Sequence, residues 1–194
     1  MTSISNTPTT DTVLLDAARE CLLAVGWRRT TMTDVARRAG VSRMTVYRRW
    51  PDLAALSADL MTREWADVGA RLIGTETPTP TATVIATGVA HAAAEIHSNE
   101  LFRKIVEVDP ELVIPYLFDR RGRSSDALID SLVTTIEAAQ AAGTVRRADP
   151  LLLARSILLT AYGFTFSVPT MVDENHDASD YFDQLRLLVE GYLR

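Results

Sequence analysis

Arginine side chains are concentrated in one short part of the chain. Between Gly26 and Pro51 there are seven arginines and one acidic residue, Asp34, so this segment carries a net charge of +6. The whole chain carries −5, which leaves −11 for the remaining residues. Guanidinium groups bind phosphate oxygens and base edges, whereas an acidic remainder is repelled by a duplex. The charge pattern therefore predicts a nucleic-acid contact confined to this segment, the alternative being a solvated, arginine-rich helix face. The arginines are Arg28, Arg29, Arg37, Arg38, Arg43, Arg48 and Arg49.

The turn chemistry of the same segment favours the nucleic-acid interpretation. Residues 33–50 read TDVARRAGVSRMTVYRRW, which predicts two short helices separated by a tight turn at Gly40. Glycine adopts the left-handed backbone conformation that ends the first helix without steric cost. Ser42 is placed to cap the second helix, and Thr31, followed three residues later by Asp34, to cap the first. Two short helices with this turn are typical of a helix-turn-helix, whose second helix enters the major groove.

The two predicted helices have distinct inner and outer residues. The apolar residues spaced to join the helices are Val35, Ala36, Ala39, Val41 and Val46. Arg43, Met44, Thr45, Tyr47 and Arg48 then point outward from the second helix. Long or hydroxyl-bearing side chains of this kind reach base edges and phosphates.

The rest of the chain has the apolar period of helices nearly everywhere, so the predicted fold class is all-α. An N-terminal three-helix domain with the helix-turn-helix is joined by a connecting helix to a C-terminal helical domain. The predicted divisions are a disordered tail at 1–10, the helix-turn-helix domain at 11–51, the connecting helix at 52–74 and the C-terminal domain at 82–194. Pro51 is expected to open the connecting helix, and residues 75–81 are the expected boundary within the chain. Helices are predicted over 11–25, 52–73, 82–98, 99–107, 124–142, 149–167 and 178–193.

Several protein classes are disfavoured by what the sequence contains. The first ten residues are rich in Ser and Thr and do not resemble a signal peptide, and we expect no apolar run of membrane-spanning length. A single cysteine, Cys21, forms no internal disulfide, which suits the cytoplasm, and its place on an apolar helix face predicts a core position. The sequence has no nucleophile elbow, Gly-rich phosphate loop or His-Glu-x-x-His pair, so we predict that it is not an enzyme.

Two polar groups outside the arginine-rich segment are considered as ligand sites. His91 and Glu95 lie one helical turn apart, but no third ligand is in register, so neither a metal nor another cofactor is predicted. A second basic cluster, formed by Arg120, Arg121 and Arg123, is most simply a solvated loop. An effector carboxylate is the alternative partner for that cluster.

The first 70 or so residues resemble the DNA-binding domain of the TetR family of bacterial transcriptional regulators. The resemblance rests on Gly26-Trp27, the Thr-Met-Thr-Asp-Val-Ala run at 31–36, Ala-Gly-Val-Ser at 39–42, Thr-Val-Tyr at 45–47, and Trp50-Pro51. It implies a homodimer bound to a palindromic double-stranded operator, with a small-molecule effector pocket in the C-terminal domain. The implied function is a repressor that an effector releases from DNA. The alternatives are a regulator without an effector and an architectural DNA-binding protein.

The resemblance also implies roles for individual residues. Thr33 and the helix 43–49 would face bases, while Thr31, Thr45 and Tyr47 would contact phosphates. One departure from the family pattern is Leu53, where many members have a lysine that meets a phosphate, and Arg48 or Arg49 would supply that charge instead. The complete set of DNA-binding candidates is Thr31, Thr33, Ser42, Arg43, Met44, Thr45, Tyr47, Arg48 and Arg49.

Candidates for the effector pocket and the dimer interface come from the C-terminal helices and the connecting helix. An apolar or aromatic effector would be lined by some of Trp65, His91, Phe102, Tyr116, Phe118, Tyr162 and Phe166, although each of these taken singly is more often a core residue. The dimer would be a four-helix interface formed by the last two helices of each subunit, the alternative being that their apolar faces pack within one subunit. Its candidate residues are Leu158, Leu159, Leu185, Leu188, Val189 and Tyr192. In the implied mechanism the effector shifts the helix 52–73 and so changes the spacing of the two recognition helices.

Overall fold

A computed structural model describes residues 10–72 and 79–194 of the chain. Within these ranges there are helices and no strand, which confirms the all-α prediction. The helices are α1 (Thr10–Val25), α2 (Met32–Arg38), α3 (Arg43–Tyr47), α4 (Leu53–Leu72), α5 (Ala82–Ser98), α6 (Glu100–Val108), α7 (Ile114–Phe118), α8 (Arg123–Ala141), α9 (Pro150–Ser167) and α10 (Ala178–Leu193). The predicted tail at 1–10 lies outside the described residues apart from Thr10, which begins α1, and so does most of the predicted boundary at 75–81.

The start of α4 and a short segment after α6 differ from the sequence prediction. Pro51 does not open α4, because the Asp52 carboxylate accepts the Ala55 N–H at 2.8 Å and caps a helix that begins at Leu53. The 3-10 turn Pro110–Leu112 and the short helix α7 were not predicted. These two elements are three and five residues long, too short for an apolar period to be recognised.

The first of two compact units contains the described residues up to Arg63 together with Glu100–Asp119. Its core is formed by residues of α1, α2, α3 and α4, among them Leu14, Val35, Val46 and Leu56, and by Leu101 of α6. The predicted division at 82–194 placed α6 in the C-terminal domain. The structure instead groups α6 with the helix-turn-helix, because its apolar residues are buried in the same core as those of α1.

The second compact unit contains Glu64–Asn99 and Arg120–Arg194. Helix α5 packs against α9 and α10, and α9 also packs against α8. Ala86, Ile136, Leu153, Ile157 and Leu185 are almost completely buried at the centre of this unit. The helices that the sequence predicted at 124–142, 149–167 and 178–193 are therefore held together by one apolar core.

The expectation that no apolar run approaches membrane-spanning length needs correction. The stretch Pro150–Thr170 has 21 residues and a mean hydropathy of 1.5, which is long and apolar enough by length and composition alone. In the folded chain its helix packs against α5, α8 and α10, with Leu153, Ala154 and Ile157 in the core. The apolar composition of α9 is thus explained in part by burial, while Leu151, Leu152 and Leu159 of the same helix are exposed.

Candidate nucleic-acid interface

The first helix of the motif, α2, begins with the cap predicted from the sequence. The Thr31 side chain accepts the Asp34 N–H at 3.2 Å, and the Asp34 carboxylate accepts both the Thr31 N–H at 3.2 Å and its hydroxyl at 2.6 Å. This reciprocal arrangement is a capping box, in which two backbone N–H groups that the helix leaves free are satisfied. The cap at Thr31 is confirmed, and its hydroxyl proton is donated to Asp34 in this structure.

The turn between α2 and α3 also has the predicted geometry. Gly40 has a φ of +68°, the left-handed conformation. The Gly40 N–H is donated to the Arg37 carbonyl at 3.2 Å and the Val41 N–H to the Ala36 carbonyl at 3.0 Å, the hydrogen bonds of a Schellman motif. Ser42 then caps α3 by accepting the Thr45 N–H at 3.2 Å. Both helix ends at the turn are therefore fixed by local hydrogen bonds.

The capping box makes part of the protein's stability depend on pH. Hydrogen bonds from Thr31, together with the nearby Arg37 guanidinium, hold the pKa of Asp34 below its ordinary value. A carboxyl whose pKa is lower in the folded than in the unfolded state stabilises the fold above its unfolded pKa, and this stabilisation is lost as the pH falls through the folded pKa. We expect Asp34→Asn to melt below the wild type at neutral pH, with the gap closing in acid.

Circular dichroism melts across this pH range would measure the effect. Asp130→Asn is a matched control, because Asp130 is an exposed aspartate on α8. A difference in Tm between wild type and Asp34→Asn that stayed constant in acid would contradict the assigned role of the Asp34 carboxylate.

Beneath the motif, the apolar seam predicted from the sequence is present. Val35, Ala36 and Val46 are buried, while Ala39 and Val41 are partly buried against the same core. The chain after α3 is anchored as well: Trp50 is buried, and its Nε1–H is donated to an Asp59 carboxylate oxygen at 2.7 Å. The direction of α3 within the first unit is thus set by contacts at both of its ends.

The outward face of α3 is the surface that the sequence predicted. Met44 is 75% exposed and Tyr47 is 49% exposed, and Arg43 and Arg48 are also exposed. Thr45 is only partly exposed, since its hydroxyl lies 2.9 Å from that of Ser42. Four long side chains, three on α3 and Arg48 at its C-cap, therefore extend into solvent together. Thr33 is partly buried on α2.

Ion pairs divide the seven arginines of the motif into two groups. Arg28 pairs with Glu111 at 2.6 Å, Arg37 with Asp34 at 2.6 Å, Arg38 with Glu20 at 2.8 Å and Arg49 with Asp11 at 2.8 Å. Arg29, Arg43 and Arg48 form no ion pair with any residue that the structure describes. The guanidinium groups of Arg43 and Arg48 are therefore available to an external anion without breaking an internal pair.

The division of the arginines into paired and unpaired groups bears on Leu53, the position where many TetR-family members have a lysine. Leu53 is partly buried and packs against the core of the first unit. Of the two arginines expected to supply the missing charge, Arg49 is engaged by Asp11 on α1, whereas Arg48 is not paired among the described residues. Spacing alone could not distinguish the two, because Asp11 is 38 positions away in the sequence.

The effector-pocket candidates are distributed over both units. Tyr162 and Phe166 lie together, their rings 6.1 Å apart and nearly perpendicular, and Trp65 packs against the same core as Tyr162. His91 is exposed on α5. The remaining three belong to the first unit, where Phe102 is buried, Tyr116 is exposed and Phe118 is 80% exposed.

Polar groups that the sequence analysis did not select form contacts with α9. The Ser125 and Tyr162 hydroxyls are 2.6 Å apart, and burial raises the pKa of Tyr162. His97 Nδ1 lies 3.1 Å from the Thr165 carbonyl oxygen, and its ring lies 5.5 Å from that of Phe182. These contacts join α5, α8, α9 and α10, so no local sequence signal could have revealed them.

The six dimer candidates divide equally between core and surface. Leu158, Leu185 and Val189 are buried in the core of their own unit, and Leu185 and Val189 are almost completely covered within it. Leu159 is 71% exposed, and Leu188 and Tyr192 are exposed as well. Apolar residues missed by the sequence analysis are exposed on the same two helices, namely Leu151, Leu152 and Leu187.

A capped and exposed second helix that carries unpaired arginines, held on a buried seam, defines a helix-turn-helix DNA-binding protein. Residues 14–60 match the family model of bacterial regulatory proteins, tetR family. The chain belongs to the TetR family of bacterial regulators and is a helix-turn-helix transcriptional regulator. It is 34% identical over 182 residues to the HTH-type transcriptional regulator Rv2250c of Mycobacterium tuberculosis, a match that covers 93% of this chain and 92% of that protein.

Solved structures have the same fold along nearly the whole chain. SmeT, the repressor of the Stenotrophomonas maltophilia multidrug efflux pump SmeDEF, has a TM-score of 0.69 at 22% identity, with 97% of this chain and 91% of SmeT covered. A SmeT–triclosan complex has a TM-score of 0.63 at 22% identity, with 93% and 91% covered. These likenesses establish an N-terminal helix-turn-helix and a C-terminal helical domain in one fold.

Proposed function

We propose that the protein is a homodimeric repressor that binds a palindromic DNA operator and is released when a small apolar or aromatic effector binds its C-terminal unit. The observation that carries this proposal is the exposed face of α3, with Arg43 and Arg48 unpaired among the described residues and Met44 and Tyr47 beside them. Its place of action is the cytoplasm, where the operator is.

On this proposal the main recognition contacts are made by the three outward residues of α3 and by Arg48 at its C-cap. Arg43 and Arg48 bind guanine edges or phosphates, and Met44 and Tyr47 supply apolar and hydroxyl contacts in the major groove. Thr31, Ser42 and Thr45 act mainly through their caps, because their hydroxyls already form hydrogen bonds within the motif. Thr33 stays a candidate for a base contact. Arg49 stays a candidate for a phosphate contact, in which a DNA phosphate replaces Asp11 as the partner of its guanidinium group.

The proposed dimer uses the exposed apolar face of α9 and α10. Leu159, Leu188 and Tyr192 lie on these two helices, so that pairing two subunits forms a four-helix interface. A two-fold axis makes the same patch face itself in both subunits. The two copies of α3 then enter major grooves about 34–36 Å apart, or a further helical turn apart, and the operator is correspondingly palindromic.

The proposed effector site is the group around Tyr162 in the second unit. The aromatic pair of Tyr162 with Phe166 and the Ser125 hydroxyl suit a ligand with an apolar body and a few polar atoms. The SmeT–triclosan complex, of the same fold, supports this class of ligand. Release from DNA requires the effector to bind the released conformation more tightly than the DNA-bound conformation. Each factor of ten in the ratio of these two affinities corresponds to about 1.4 kcal/mol.

Fluorescence anisotropy tests the proposal directly. Labelled duplexes tiled across the region upstream of the gene are titrated with protein at physiological salt and excess unrelated DNA. We expect nanomolar binding of one duplex, with two subunits per site. In a library of small aromatic compounds, at least one member should abolish that binding. Binding that unrelated DNA abolishes would indicate an architectural protein instead.

A further inference from the structure

A buried carboxylate from a distant part of the chain contacts the turn just before the helix-turn-helix. Asp109, which follows α6, is 1% exposed. One of its oxygens accepts the backbone N–H of Trp27 at 2.6 Å across a separation of 82 residues. Trp27 lies in the turn between α1 and α2, and both residues belong to the first unit. This contact therefore ties the end of α6 to the segment that leads into α2.

A side chain at Gly26 would crowd the contact between the two segments. Gly26 has a φ of +78°, and a Cβ there would lie 3.0 Å from the Asp109 carboxylate oxygen and 3.2 Å from Val108 Cγ1. The turn is held from its other side as well, since the Thr30 hydroxyl donates to the Gly26 carbonyl at 2.8 Å. The Gly26-Trp27 pair is thus shaped to receive this one carboxylate.

Packing alone does not account for a carboxylate at this position. Its second oxygen is buried without a hydrogen-bond partner, and Arg28 Nε lies 3.9 Å from it while pairing more closely with Glu111. A buried charge with an unsatisfied oxygen lowers stability relative to an apolar side chain. The α6 face already has buried apolar residues in the same core, Leu101 and Ile105. The presence of a carboxylate at position 109 is thus explained by the hydrogen bond with which it holds the turn at Trp27.

We propose that Asp109 is a positioning residue for operator recognition, acting through the Trp27 N–H. The caps and the turn at Gly40 hold α2 and α3 together as a pair, so the backbone at 26–31, which leads into α2, fixes the direction of this pair together with the buried seam and the Trp50–Asp59 hydrogen bond. Holding Trp27 therefore contributes to how α3 is presented to the groove. This inference rests on the proposed function, because it concerns the operator.

The experiment compares Asp109→Ala and Gly26→Ala with two controls, Ile105→Val and Glu111→Gln. Ile105→Val loosens the same core without touching the turn, and Glu111→Gln removes the exposed ion pair with Arg28. Affinities for operator and for unrelated DNA are measured by anisotropy well below each variant's melting temperature. Hydrogen exchange at the Trp27 amide reports the contact itself.

For Asp109→Ala and Gly26→Ala we expect at least a tenfold loss of operator affinity, a less than twofold change for unrelated DNA, and faster exchange at Trp27. Asp109→Asn should be intermediate, because an amide oxygen can still accept the N–H. Unchanged operator affinity in folded Asp109→Ala, or an equal loss in Ile105→Val, would overturn the proposal. If the wild type binds no operator, the proposed function fails, whereas slow exchange at Trp27 in Asp109→Ala refutes the contact separately.

Discussion

The double substitution Arg43→Ala and Arg48→Ala is expected to lower operator affinity by at least about 30-fold while leaving the fold intact. Both guanidinium groups are exposed and unpaired among the described residues, so their removal breaks no internal ion pair. A bidentate arginine contact to a base contributes about 1–3 kcal/mol, and two such contacts contribute about 2–6 kcal/mol. Each 1.4 kcal/mol is roughly a factor of ten in affinity. Anisotropy titrations with the operator duplex measure the loss.

The salt dependence of the same titrations distinguishes phosphate from base contacts. Each phosphate contact contributes about 0.9 to the slope of log K against log salt, so a substitution that removes one contact in each of two subunits reduces that slope by about 1.8. A fall in affinity without a change in slope would assign the two arginines to base edges. Single substitutions then show which of Arg43 and Arg48 has which role.

A matched control uses another exposed arginine. Arg147 lies between α8 and α9 and forms no ion pair with any described residue, so Arg147→Ala removes the same charge far along the chain from the motif. Arg49→Ala should have a smaller effect than Arg48→Ala, because Asp11 already binds its guanidinium. An operator affinity of the double variant equal to that of the wild type would refute the assignment of α3 as the recognition helix.

The double substitution Leu159→Glu and Leu188→Glu is expected to convert the proposed dimer into a folded monomer and to reduce operator affinity by at least about 100-fold. Both leucines are exposed on the subunit, so each substitution alone changes the stability of the unit little. In a two-fold interface each substitution occurs twice, which places four carboxylates in an apolar patch. Sedimentation equilibrium would show a species of 21.4 kDa instead of twice that mass.

Two further leucines serve as controls for this result. Leu117→Glu introduces the same charge at an exposed position of α7 and should leave the dimer intact. Leu185→Ala should lower stability and leave assembly unaffected, whereas the double variant should do the reverse. Because Leu185 is fully buried, we expect this substitution to lower the free energy of unfolding by about 2–5 kcal/mol. A dimer that survives the double substitution at low protein concentration would place the interface elsewhere.

The sequence by itself determined the helices and most of their ends. Every predicted helix of the C-terminal part begins and ends within one residue of the observed one, and the caps at Thr31 and Ser42 are confirmed. These features depend on hydrogen bonds between a side chain and a backbone N–H two or three residues away, and on an apolar period within one helix. Such interactions act within a few residues, so the local sequence contains them.

Only the tertiary structure decided which of two neighbouring leucines is buried and which of two neighbouring arginines forms an ion pair. Leu158 and Leu159 are adjacent on α9, yet the first is buried and the second is exposed. Arg48 and Arg49 are adjacent too, yet only Arg49 meets an acid from α1 among the described residues.

The position of α6 was decided in the same way. Its amphipathic pattern predicts a buried face but not the core that receives it, and in the folded chain that core is the one beneath the helix-turn-helix. A period in the sequence shows that a face is apolar, whereas its partner depends on segments far away in the chain that only folding brings together.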